Sequence, residues 1–158
     1  MNLEFRTVIN GREVEASVRP NQTLLDWLRD NLQLRGSREG CGVGVCGSCT
    51  VLVDGKPVSS CLMLATNAEG KRIQTIEGLA EGGELDPVQQ AFLDHQAFQC
   101  GYCTSGMIMA VKALLSNNPT PTEEETRDYL SGNICRCGTY QEVLAAVRSL
   151  AEKNLAKP

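Results

Sequence analysis

Apolar and polar positions alternate over the first eighteen residues and then give way to helical spacing. Leu3, Phe5, Thr7 and Ile9 share one side of an extended run, and Val14, Ala16 and Val18 repeat the alternation after Asn10-Gly11. That dipeptide supplies the residues a type I′ hairpin turn requires. Leu24, Leu25, Trp27, Leu28 and Leu32 then form the inward face of a short helix. Thr23 is its expected N-cap, Asp26 its third helical residue and Gly36 its expected stop. Thr50–Val53 reads as a strand closed by the tight turn Asp54-Gly55, and residues 73–76 as a last short strand. Hairpin, helix, loop and strands is the element order of a β-grasp fold.

The second half changes to helical period. Asp86-Pro87 marks a helix start, with Val88, Ala91, Phe92 and Phe98 along one side. Met107, Ile108, Val111, Leu114 and Leu115 form the next stripe, ended by Asn117-Asn118-Pro119. Thr122 with Glu125 and Thr139 with Glu142 each read as a capping box, the second opening a helix with Val143, Leu144, Val147 and Leu150 inward. The Glu123–Glu125 run needs no binding role, because acidic side chains suit the positive end of a helix. Four helices of this kind pack as a bundle. Residues 77–84 are acidic, Gly-rich and without period. The expected class is therefore α+β: a β-grasp domain over 1–76, a linker over 77–86 and a four-helix bundle over 87–158.

Composition narrows the function. The 158 residues are 42% hydrophobic and 22% charged, as in a globular chain. Fifteen basic against nineteen acidic residues give a net charge of -4, which excludes non-specific nucleic-acid binding as the main role. The longest apolar run, Met107 to Leu115, is broken by Lys112 and too short to span a bilayer, so no membrane insertion is expected. No export signal is readable near Met1, which points to the cytoplasm and leaves open export with a signal-bearing partner. No dinucleotide loop, P-loop or nucleophile–base constellation is present, so no complete active site is expected.

Eight cysteines are the unusual feature. A chain able to build a core of this size needs no disulfide staples, and metal ligation becomes the leading reading. The first group is C-x4-C-x2-C at Cys41, Cys46 and Cys49, followed after eleven residues by Cys61. This is the spacing of plant-type [2Fe-2S] ferredoxins. Gly36, Gly40, Gly42, Gly44 and Gly47 let the backbone wrap closely and aim N–H groups at sulfur, and Ser48 offers a hydroxyl. Arg35 and Arg38 read as surface cations. A four-cysteine zinc site is the rival, but zinc ligands usually come as two tight pairs.

The second group is Cys100-Gly101-Tyr102-Cys103 and Cys135-Arg136-Cys137, each pair just before a helix where the dipole favours thiolates. Taken alone, it also admits a redox C-x2-C or a zinc site. A Rieske centre needs two histidines on one iron, and His95 is the only histidine. His95 reads as a partly exposed surface residue.

At these motifs a resemblance enters. Cys41-Gly42-Val43-Gly44-Val45-Cys46-Gly47-Ser48-Cys49, Phe98-Gln99-Cys100-Gly101-Tyr102-Cys103 and Gly132-Asn133-Ile134-Cys135-Arg136-Cys137 resemble the small iron–sulfur subunit of the xanthine oxidase family of molybdenum hydroxylases. The family includes carbon monoxide dehydrogenase and the quinoline, isoquinoline and nicotinate oxidoreductases, and the likeness runs to about residue 152. It implies two [2Fe-2S] clusters, held by Cys41, Cys46, Cys49 and Cys61 and by Cys100, Cys103, Cys135 and Cys137. It also implies a molybdopterin cofactor on a large partner subunit, touched here by Gln99 and Cys137. Electrons would pass through both clusters to an FAD subunit or a cytochrome. Two departures stand out: Ser105 where relatives often carry proline, and Gly138-Thr139 in swapped order. The swap resembles the branch in which a cytochrome is the acceptor. A freely diffusing ferredoxin, a zinc module and a disulfide-stapled protein remain the rival classes.

Overall fold

The first hairpin forms where the alternation puts it. In the computed structural model, which describes residues 2–156, β1 (Leu3–Ile9) pairs antiparallel with β2 (Arg12–Val18). Asn10 and Gly11 turn the chain with φ of 49° and 79°. Asn10 also reaches across the fold. Its side-chain oxygen accepts from the Thr75 N–H at 2.9 Å, and its amide donates to the Thr75 hydroxyl at 3.0 Å.

The short helix starts as expected and ends early. Thr23 Oγ1 accepts from the Asp26 N–H at 3.1 Å, α1 (Leu24–Asp26) follows, and a wide π-turn carries the chain over Trp27–Asn31. Gln33, with φ of 57°, takes the left-handed position after it, so Gly36 is not the stop. Gly36 is instead a packing point: its N–H donates to the Glu77 carboxylate at 2.6 Å, and a Cβ there would run into Ile76.

β3 (Thr50–Val53) is buried throughout and turns at Asp54-Gly55 into β4 (Lys56–Ser59). The return strand is silent in the hydrophobic pattern because it lies at the sheet edge, where Pro57 is tolerated. β5 (Arg72–Gln74) runs parallel to β1 and antiparallel to β3, giving the order β2-β1-β5-β3-β4. Phe5, Ile9, Trp27, Leu28, Val51 and Ile73 fill one core, with the Phe5 and Trp27 rings 5.4 Å apart.

The remaining helices are α2 (Pro87–Asp94), α3 (Thr104–Asn117), α4 (Glu123–Tyr129) and α5 (Tyr140–Leu155). Asp86 and Thr122 both close full capping boxes, with Gln89 and Glu125 as the returning partners. Asp86 also binds Lys112 of α3, joining the start of α2 to the next helix. Phe92, Met107, Val111, Val143 and Val147 share a second core, and Leu52 of β3 and Leu79 belong to it as well. The helical half is thus packed directly on the sheet, and the architecture is α+β. Among the described residues no helix is long and apolar enough to cross a membrane.

The two halves also meet backbone against backbone. A Cβ on Gly106 of α3 would collide with the Gly47 carbonyl, and a Cβ on Gly47 would sit 2.7 Å from the Gly132 carbonyl. Gly106→Ala must push α3 off the Gly47 turn, and such overpacking costs about 2 kcal/mol. Urea unfolding of the purified chain should show that loss; an unchanged midpoint would mean that the two backbones separate freely.

Candidate metal centres and the junction between them

The loop 41–49 has little regular structure and much backbone N–H. Gly42, Gly44 and Gly47 adopt φ of 66°, 77° and 70°, which only glycine takes without strain. Cys41 Sγ accepts from the N–H groups of Val43 and Val45, each at 3.4 Å. Those two donors, with the backbone and thiol of Cys46, bring the Cys41 thiol down to about 6. Gly40 leaves room for sulfur, since a Cβ there would lie 2.8 Å from Cys46 Sγ. Cys49 is buried at the start of β3, and Cys61 follows β4. The Ser60 hydroxyl donates to the Cys49 carbonyl at 2.7 Å and ties the two segments together. Burial, then the Cys49 thiol, push Cys61 up to about 11.

The second group is built on two helix entries. Cys103 is the N-cap residue of α3, and the turn carrying Cys135 and Cys137 leads into α5. Burial, then the Cys135 thiol, push Cys103 up to about 12. Burial also raises Cys135, but the Thr139 hydroxyl and N–H outweigh it and bring the thiol down to about 7. The Tyr102 N–H, then the Cys137 thiol, lower Cys100. Thr139 therefore departs from its expected capping role. It makes no side-chain cap bond, and its hydroxyl lies 3.2 Å from Cys135 Sγ. The sulfur is the better-placed partner because the chain enters α5 from that turn. Tyr140 holds the same turn, its phenol oxygen accepting from the Cys135 N–H at 2.8 Å.

All eight thiols are free. In each group they meet in pairs: Cys41 with Cys46 and Cys49 with Cys61, then Cys100 with Cys137 and Cys103 with Cys135. Among the described residues no three His, Cys, Asp or Glu side chains are drawn together as a single-ion site. Four thiols in two pairs is the donor set of a two-iron cluster, in which each iron takes two protein ligands. The residues fit that group. Gln99, the other expected site residue, is exposed and donates its amide to the Cys137 carbonyl at 3.3 Å. His95 closes α2 as its C-cap residue and is half-buried.

The two groups are joined by residues that spacing does not reveal. The Ile134 N–H donates to the Cys46 carbonyl at 2.9 Å, and the Asn133 amide donates to the Gly47 carbonyl at 3.4 Å. On the other edge, Arg38 donates to the Gly101 carbonyl, Tyr102 to the Glu39 carbonyl at 2.6 Å, and Ser105 to the Gly36 carbonyl at 2.6 Å. Arg38 is thus an inter-segment donor and not merely a surface cation. Only its closeness to Cys41 in the chain pointed toward the site.

Residues 7–80 match the model of the 2Fe-2S iron-sulfur cluster binding domain, and residues 75–148 match that of the [2Fe-2S] binding domain. The chain is 48% identical over 145 residues to the nicotinate dehydrogenase small FeS subunit of Eubacterium barkeri, covering 92% of this chain and 92% of that one. It is 47% identical over 145 residues to the nicotine 6-hydroxylase small subunit of Paenarthrobacter nicotinovorans, covering 92% and 87%. Quinoline 2-oxidoreductase from Pseudomonas putida 86 superposes with a TM-score of 0.92 at 43% identity, over 96% of this chain and 94% of that chain. The aldehyde oxidoreductase of Desulfovibrio desulfuricans superposes with a TM-score of 0.91 at 40% identity, over 96% of this chain but only 17% of the other. With both cluster-binding domains matched and near-full-length likeness to named small subunits, the chain belongs to the iron–sulfur subunits of the xanthine oxidase family of molybdenum hydroxylases and is one component of an oxidoreductase.

Proposed function

We propose that two [2Fe-2S] clusters bound to this chain supply one-electron carriers between an external acceptor, which is an FAD subunit or a cytochrome, and a molybdopterin centre on a large partner subunit. Cys41, Cys46, Cys49 and Cys61 hold one cluster in a β-grasp domain over 1–76. Cys100, Cys103, Cys135 and Cys137 hold the other in a four-helix domain over 87–158, after a linker over 77–86. The observation that carries the reading is the Ile134 N–H bond to the Cys46 carbonyl. It joins a residue of the first quartet to the peptide just before Cys135 of the second.

The chain's residues divide the remaining work. Backbone N–H groups at Val43, Val45 and Tyr102 and the Thr139 hydroxyl donate toward sulfur, which favours the more anionic, reduced state. Gln99, released from the Cys137 carbonyl, offers its amide to the pterin, and the Cys137 segment offers its backbone. Phe98, Ile134 and Tyr140 are exposed around this second quartet and suit burial against the large subunit. Val43, Val45 and Leu62 are more than half exposed around the first quartet and give an acceptor an apolar place to dock. Substrate choice rests with the partner's pocket. Eight free thiols favour assembly in a reducing cytoplasm.

Three measurements test this reading. The dithionite-reduced protein should give two distinct [2Fe-2S] electron paramagnetic resonance signals and about four irons per chain, the content of two such clusters. Cys61→Ala should remove one signal and Cys135→Ala the other; zinc in place of iron, or two signals persisting in both variants, would overturn the assignment. Thr139→Val should lower the midpoint potential of one cluster by on the order of tens of millivolts, leaving the other in place, because a single hydrogen bond to sulfur is lost. Gln99→Ala should slow turnover of the reconstituted complex with both signals intact, and unchanged turnover would remove Gln99 from the pterin contact.

A further inference from the structure

We propose that Arg38, Tyr102 and Ser105 form a clasp that fixes the two cluster cradles relative to each other, making them positioning residues for electron passage between the cradles. The inference rests on the two-cluster reading above and concerns only how this chain holds its own loops.

The clasp is reciprocal. Arg38, three residues before Cys41, sends its guanidinium to the Gly101 carbonyl inside the Cys100–Cys103 turn. Gly101, with φ of 76°, adopts the left-handed conformation in which that carbonyl meets Arg38. Tyr102 returns a bond from the same turn, its hydroxyl donating to the Glu39 carbonyl at 2.6 Å. The Arg38 guanidinium also lies over the Tyr102 ring, 5.5 Å from its centroid. Ser105, two residues after Cys103, donates to the Gly36 carbonyl at 2.6 Å. Gly36 is itself held from a third side by the Glu77 carboxylate on its N–H.

Geometry makes this edge matter. The first loop is gripped at residues 46–47 by Ile134 and Asn133, and at residues 36–39 by Tyr102 and Ser105 together with the bond that Arg38 sends to Gly101. The packed face holds the two halves together, and bonds at both edges of the first loop hold the loop itself against shifting between them. Every bond of the second edge includes a side chain, so it can be released without touching a cysteine or the backbone path at Ile134. Tyr102 is 47% exposed and Ser105 is partly exposed, so neither is a core residue whose loss would undo the fold.

The test uses two neutral changes, so that no charge near a cluster is altered. Tyr102→Phe combined with Ser105→Ala is compared with the unmodified protein by iron content, by the magnetic interaction between the two reduced clusters, and by the rate of electron exchange between them. The expected result is unchanged iron and two intact signals, with the magnetic interaction weakened and the exchange slowed. Restoring the Ser105 position as Ser105→Thr, which keeps a hydroxyl, should return part of the interaction. A double variant with unaltered interaction and exchange, whatever its stability, overturns the clasp. If the double variant loses its iron, Tyr102→Phe alone decides the matter by the same readings. Fewer than two cluster signals in the unmodified protein would overturn the two-cluster reading itself, before any variant is compared.

Discussion

The approach of Gly106 to the Gly47 carbonyl sets the terms for everything else in this molecule. The α3 backbone meets the loop backbone without a side chain as spacer because Gly106 lacks a Cβ, while Gly47 lacks one where Asn133 and Gly132 press on the loop. One backbone belongs to α3, three residues after its Cys103 N-cap, and the other to the loop between Cys46 and Cys49. Once they touch, the loop edges fall within hydrogen-bond reach of the turn ahead of Cys135. The bonds from Asn133 and Ile134 follow from that proximity. The packing of Leu52 and Leu79 into the helical core extends the contact from a point to a face. A hinge between the halves would have to break both the face and the bonds.

That rigidity governs the chemistry of the sulfurs. In both quartets some thiols sit where backbone N–H groups and a hydroxyl favour thiolate, as at Cys41 and Cys135. Others sit where burial opposes it, as at Cys61 and Cys103. Cys61 and Cys103 are half-buried, and desolvation is the first cause that holds their thiols protonated. A mobile loop could relax around such thiols by hydrating them. Here the Ser60 bond to Cys49 and the Tyr140 bond to the Cys135 N–H hold the pairs together. The fold thus keeps the sulfurs of each group close to one another.

Much of this was legible in the sequence, and the limits have physical causes. Hairpin turns at Asn10-Gly11 and Asp54-Gly55 are local events, decided by residues that tolerate positive φ, and the structure has both. The caps at Thr23, Asp86 and Thr122 are equally local. Cysteine spacing pointed to two groups of four because ligands on one loop must lie close in sequence. Thr139 misled because its hydroxyl could either accept from an N–H of the helix start or pair with a sulfur, and in the folded turn it makes no cap bond and lies 3.2 Å from Cys135 Sγ. Gly36 misled for a similar reason. Glycine serves as a helix stop or as a point of close approach, and Ile76, which decides between them, lies forty residues away. β4 and the 3-10 turn Ala65–Ala68, which buries only its two alanines, carry no period long enough to read.

The segment after β5 shows how far composition can carry an argument. Acidic, glycine-rich and without period, residues 77–84 have what a connection between two units needs, and they do connect sheet to helices. Yet Leu79 is buried in the helical core, and the Glu77 carboxylate holds the Gly36 N–H. The stretch holds only the end of a 3-10 turn, Ile76–Gly78, and an isolated bridge between Glu81 and Glu84. Polarity could not tell that two of its side chains are placed where the first loop, the sheet and α3 converge. A carrier that only bound two clusters could tolerate a slack connection, because each quartet closes within its own half. The proposed passage of electrons between them calls for a fixed separation, and the contacts at this junction, including those from the connecting segment, act against slack.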